Sequence, residues 1–90
     1  MIIEAENLDL TNEERAMGVT SGSAIGWGRT TIVKMQTADN YEVIGIYTVG
    51  RHRGREDVDP VRVMMARGNA MQRLQHAMGR RQIRDSAEHR

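Results

Sequence analysis

Cysteine is absent from the 90 residues. That removes disulfides, thiolate metal ligands and a thiol nucleophile. Phenylalanine is also absent, and the aromatic side chains are one Trp and two Tyr. No run of 18 apolar residues occurs, so no membrane-spanning helix is expected. No basic start followed by an apolar stretch marks a secretory leader. With no cysteine to oxidise, the expected compartment is the cytoplasm. Leu, Ile and Val number 3, 7 and 7, about 19% of the chain, at the low edge for a folded domain. The formal net charge of only +1 argues for folding nonetheless. The seven Met, one Trp and two Tyr enlarge a core that stays thin. A single domain spanning 1–90 is expected, one that gains stability as a homo-oligomer, dimer or larger.

Lysine is nearly absent: twelve of the 13 basic residues are Arg. Arginine presents a planar fork of donors that fits carboxylate and phosphate, and it stacks on flat rings. The charge is also divided along the chain. Residues 1–50 carry three basic and seven acidic side chains, and residues 51–90 carry ten and five. An acidic first half and a basic second half attract one another, within a subunit or between two.

The pattern of elements predicts an α+β fold. Residues 1–8 read as a short strand. Thr11 and Glu14 have the spacing of a capping box, so a short helix is expected over 12–17, ended by Gly18. Four glycines in 18–28 read as a flexible loop. Two β-branched runs, 29–37 and 41–49, flank Ala38-Asp39-Asn40 and predict a β-hairpin, the basis of a small antiparallel sheet. Both faces of the second run carry apolar residues, so it is expected to be central or covered on both sides. Asp59-Pro60 reads as N-cap and first turn of a long C-terminal helix over about 60–84, with Gly68-Asn69 as its weak point and 85–90 as a polar tail. Val61, Met64, Met65, Met71, Leu74 and Met78 recur at helical spacing and predict one apolar face. Such a helix overhangs the hairpin. Met64, Met71, Leu74 and Met78 are therefore expected to meet a second copy of the chain.

Little in the sequence supports catalysis. His52, His76 and His89 have no metal-ligand spacing, and no Ser sits in a recognisable nucleophile setting. No enzyme activity, metal or cofactor is expected. Gly22, Gly26 and Gly28 with Arg29-Thr30-Thr31 fall short of a phosphate-binding P-loop in spacing, in Arg for Lys, and in the strand that follows. Gly-rich backbone can still face an anion, with Arg29, Thr30 and Thr31 beside it. Trp27, the sole Trp of a chain without Phe, is expected to fill the core. If exposed, it offers a stacking surface next to those residues.

The strongest functional signal is Arg51-His52-Arg53-Gly54-Arg55, three arginines in five residues between a strand and a helix. A phosphate-bearing ligand, nucleic acid or nucleotide, would fill the space between such charges. Pairing with Glu56, Asp57 and Asp59 is the competing reading, and Arg29 or Arg62 would widen the patch. The expected function is a small oligomeric binding protein for such an anion. The alternatives are a protein-interaction factor of bacterial or phage type that inhibits or adapts a larger host protein, and a structural subunit of a viral particle.

Overall fold

Two β-rich runs separated by Ala38-Asp39-Asn40 form the expected hairpin, strands Thr30–Thr37 and Glu42–Thr48. Asn40 takes the left-handed conformation (φ 64°) that three-residue hairpin loops place at their last position. Thr37 Oγ1 accepts the Tyr41 N–H at 3.1 Å, which closes the turn. In the computed structural model, which describes residues 4–50 and 60–88 with side chains at 6–50 and 60–79, six elements follow one another. They are β1 (Glu4–Asn7), α1 (Asn12–Ala16), β2 (Val19–Trp27), β3 (Thr30–Thr37), β4 (Glu42–Thr48) and α2 (Pro60–Glu88). The four strands make an antiparallel sheet in the order β1-β2-β3-β4, an α+β fold. No helix among the described residues is long and apolar enough to cross a membrane.

The segment read as a flexible loop is β2. Its glycines lie at alternate positions, Gly22 and Gly26, with Ala24 between them, and alternation is the strand period. Ala24 is fully buried, and Leu8 and Leu10 lie over Gly22. The small residues leave room for what covers the strand, and they are not breakers here. Gly28, with φ 59°, occupies the first of the two turn positions between Trp27 and Thr30, where a type II′ turn calls for glycine.

β4 is an edge strand of the described sheet, not a central one. One face lies under α2 and the other is open, with Ile44 and Ile46 38% and 44% exposed. Its apolar residues on both faces therefore signal a partly uncovered face, not a flanking strand.

The long helix forms, unbroken through Gly68-Asn69, and runs past the expected end near 84 into the segment read as a polar tail, to Glu88, about 43 Å at 1.5 Å per residue. Its buried stripe is Val63, Ala66, Ala70 and Leu74. Val61, Met64 and Met65 face outward, 68%, 72% and 48% exposed. The methionine face predicted from spacing is thus rotated from the buried one. The reason is Gly45: a Cβ there would sit 2.0 Å from the Ala66 carbonyl oxygen and 2.4 Å from the Ala70 nitrogen. A helix this close to a strand accepts alanine on its inner side and excludes methionine.

The capping box is present: Glu14 N donates to Thr11 Oγ1 at 3.1 Å and Thr11 N to Glu14 Oε1 at 2.9 Å. Glu14 is 3% exposed, and α2 answers its charge. Arg67 donates from Nε to Glu14 Oε2 at 2.9 Å and from Nη2 to Oε1 at 2.5 Å, and also from Nη2 to the Asp9 carbonyl at 2.8 Å. The acidic first half thus docks on the basic second half within one chain. Burial pushes the Glu14 carboxyl up. The hydrogen bonds from Arg67 and the Thr11 backbone, with the Arg67 charge, outweigh it and hold the pKa below its ordinary value.

Three variants test this framework. Gly45→Ala should lower the unfolding free energy in urea by about 3 kcal/mol or more, since the obstruction is helix backbone. Gly68→Ala, with nothing within 4 Å of the added carbon, should raise it by about 0.5–1 kcal/mol. Glu14→Gln should cost about 2–4 kcal/mol by leaving Arg67 unpaired. Because the folded pKa of Glu14 is depressed, its contribution is full above the ordinary value of 4.5 and is lost as pH falls through the folded value. Denaturation series at descending pH should show that loss in the wild type and a shallower one in Glu14→Gln.

Candidate functional site

Helices α1 and α2 lie on one side of the sheet, and among the described residues nothing covers the other. Strand alternation sends Ser23, Ile25 and Trp27 of β2, Thr30, Ile32, Lys34 and Gln36 of β3, and Glu42, Ile44, Ile46 and Thr48 of β4 to the open face. Register aligns these into rows across the strands. Ile25, Ile32 and Ile46 form one. Ser23, Lys34 and Ile44 form the next, and Lys34 Nζ reaches Glu42 Oε2 at 3.3 Å. Trp27, Thr30 and Thr48 form the row at the β2–β3 turn, with the two threonine hydroxyls 3.1 Å apart.

Trp27 is 49% exposed and belongs to this face, so the expectation that it fills the core does not hold. The physical reason is parity. Ala24 and Gly26 lie on the covered side of β2 and Ile25 and Trp27 on the other, and the covered side is filled by α2 and by Leu8, Leu10 and Met17. Arg29 is exposed in the adjoining turn. Of the two threonines expected beside it, Thr30 is on the open face, whereas Thr31 is 1% exposed on the covered side. Thr31 therefore stabilises the core and does not share a surface with Trp27.

Arg51, Arg53 and Arg55, like Asp59, lie outside the described residues. The residues that flank the segment are described, and they converge on one turn. Val49 N donates to the Arg29 carbonyl at 2.9 Å, and Arg62 Nη1 donates to the Gly28 carbonyl at 2.8 Å. Arg62, 7% exposed, is buried against that carbonyl, so its guanidinium keeps its charge at this end without being open to direct contact with an anion. Gly50 and Pro60 thus both stand at the Trp27–Arg29 end of the sheet.

The four residues expected at a subunit interface have different surroundings. Met64 is open to solvent, Leu74 is 2% exposed in the chain's own core, and Met71 and Met78 pack against that core half-buried. Leu74 is therefore unavailable to a second copy, because the overhanging helix begins beyond it. No group of three or more His, Asp or Glu side chains that could hold a metal occurs among the described residues.

Comparison with protein-family models, with curated proteins and with solved structures finds no match.

Gly22, Ala24 and Gly26 mark one side of a period-two pattern and put Trp27 on the other; which of the two sides is covered is set by the helices. Trp27→Ala should cost much less than the about 3–5 kcal/mol of a core Trp truncation, measured by thermal or urea unfolding. A core-sized loss would return the indole to the interior.

Proposed function

We propose that this chain is a small non-enzymatic binding module, oligomeric in its working form, that recognises a phosphate-bearing ligand, a nucleic-acid strand or nucleotide. The ligand is taken at the Trp27 end of the open sheet face. The observation that carries this reading is the half-exposed indole of Trp27. It lies in one row with the Thr30 and Thr48 hydroxyls and next to exposed Arg29. An aromatic plane stacks on any base, cations and hydroxyls bind phosphate, and the two together are the usual means of holding a single strand. The sequence adds Arg51, Arg53 and Arg55, in a segment outside the described residues between Val49 and Arg62, which bond to the Arg29 and Gly28 carbonyls.

The apolar row favours a second reading. Ile25, Ile32 and Ile46, with Ile44 beside them, supply no charge and no hydrogen bond. A surface of this kind suits a protein partner, such as a larger host protein that the module inhibits or adapts.

The single Trp makes the first reading directly measurable. Titration with short oligothymidylate should quench Trp27 emission, and affinity should fall by orders of magnitude between about 50 and 200 mM salt. Arg29→Ala and the combined replacement of Arg51, Arg53 and Arg55 by Ala should each weaken binding and flatten the salt slope. Unchanged emission at low salt removes the nucleic-acid reading. Retention of a protein partner by those Arg variants, with its loss on Ile46→Glu, establishes the second.

A further inference from the structure

The outer edge of β4 and the side of α2 that overlooks it enclose a groove of about 680 Å³, lined by Tyr41, Glu42, Val43, Ile44, Gln72, Arg73 and His76. We propose that this groove binds an extended acidic peptide segment of a partner protein, which adds to the sheet as a fifth strand. The site is separate from the Trp27 end of the open face and does not depend on the function proposed there.

The backbone supplies the pairing groups. Val49 N bonds to the Arg29 carbonyl and Thr37 N to the Tyr41 carbonyl, so the odd-numbered residues of β4 face β3. Their even-numbered neighbours turn N–H and C=O outward, because alternate residues of an antiparallel strand bond to opposite sides. The outward groups are those of Glu42, Ile44, Ile46 and Thr48. One is occupied: Asn69 Nδ2 donates to the Ile46 carbonyl at 2.7 Å. Asn69 thus limits pairing on that side and leaves the groups of Glu42 and Ile44 unpaired among the described residues, at the floor of the groove. An unpaired edge beside a helix wall is what strand addition uses: main-chain bonds give affinity and side-chain pockets give specificity.

Charge selects the occupant. The helix wall carries Arg73, exposed and without an ion pair among the described residues. Glu42 directs its carboxylate to the open face of the sheet, where Lys34 meets it at 3.3 Å. An added strand therefore finds the Arg73 charge on the helix side and, among the described residues lining the groove, no carboxylate without an ion pair. A second copy fits worse. Two-fold pairing of β4 with itself about Ile44 sets each Arg73-bearing wall beside its own duplicate, like charge against like. The short window between the Tyr41 turn and Asn69 also suits a peptide better than a continuous sheet.

The test uses amide NMR of the full chain with two capped synthetic peptides, one alternating Val with Asp and one alternating Val with Lys. The acidic peptide should shift the Glu42 and Ile44 amides and slow their hydrogen exchange, and should bind at least tenfold more tightly than the Lys peptide. Arg73→Glu, an exposed substitution, should reverse that preference. N-methylating alternate amides of the acidic peptide should abolish the shifts, which a purely electrostatic contact would survive. Shifts confined to other residues, equal binding of the two peptides, or no binding at millimolar peptide would overturn the proposal. So would protection of the Glu42 and Ile44 amides that rises with protein concentration in the absence of peptide, which assigns the edge to a second copy. Trp27 emission should remain unchanged throughout, which separates this site from the one at the other end.

Discussion

The contact between Gly45 and the inner side of α2 sets the geometry of the rest. With no side chain on β4 at that point, the helix backbone at Ala66 and Ala70 comes down onto the strand. Three polar contacts then become reachable from one helix. Arg62 meets the Gly28 carbonyl, Asn69 the Ile46 carbonyl, and Arg67 the Glu14 carboxylate. These lie along α2 within two turns and reach a hairpin turn, a strand edge and the N-terminal helix in order. A helix held farther away by a larger residue would lose all three together.

The Glu14–Arg67 pair joins the two oppositely charged halves of the chain, and it is tied into local structure at both ends. Glu14 already closes the capping box of α1, so its carboxylate is held before Arg67 arrives. That preorganisation lowers the side-chain entropy that Glu14 itself loses when the pair forms. Of the other arginines at 60–79, Arg62 is buried against the Gly28 carbonyl and Arg73 is exposed beside the β4 edge.

Placing both helices on one side of a four-stranded sheet leaves the opposite face and the β4 edge uncovered among the described residues. The face is apolar in its middle and aromatic and polar at the β2–β3 turn. The edge offers backbone hydrogen bonds beside a positively charged wall. The two have different chemistry, which is why a stacked, phosphate-bearing ligand and an acidic strand are proposed for separate places.

Local signals in the sequence determined the hairpin, the capped short helix, the glycine at its end and the long helix, because each depends on residues within a few positions of one another. The antiparallel α+β class followed from those elements. The sequence also located the turn where Arg29 sits and the arginine-rich segment that follows β4. Tertiary packing decided the rest. Which side of α2 is buried depended on Gly45, a residue distant in sequence, and it turned Met64 outward while committing Leu74 to the core. Whether the glycines of 18–28 were a loop or a strand depended on pairing with β1 on one side and β3 on the other. Whether Trp27 was core or surface depended on which face of β2 the helices covered, and strand alternation alone leaves that choice open until a second layer arrives.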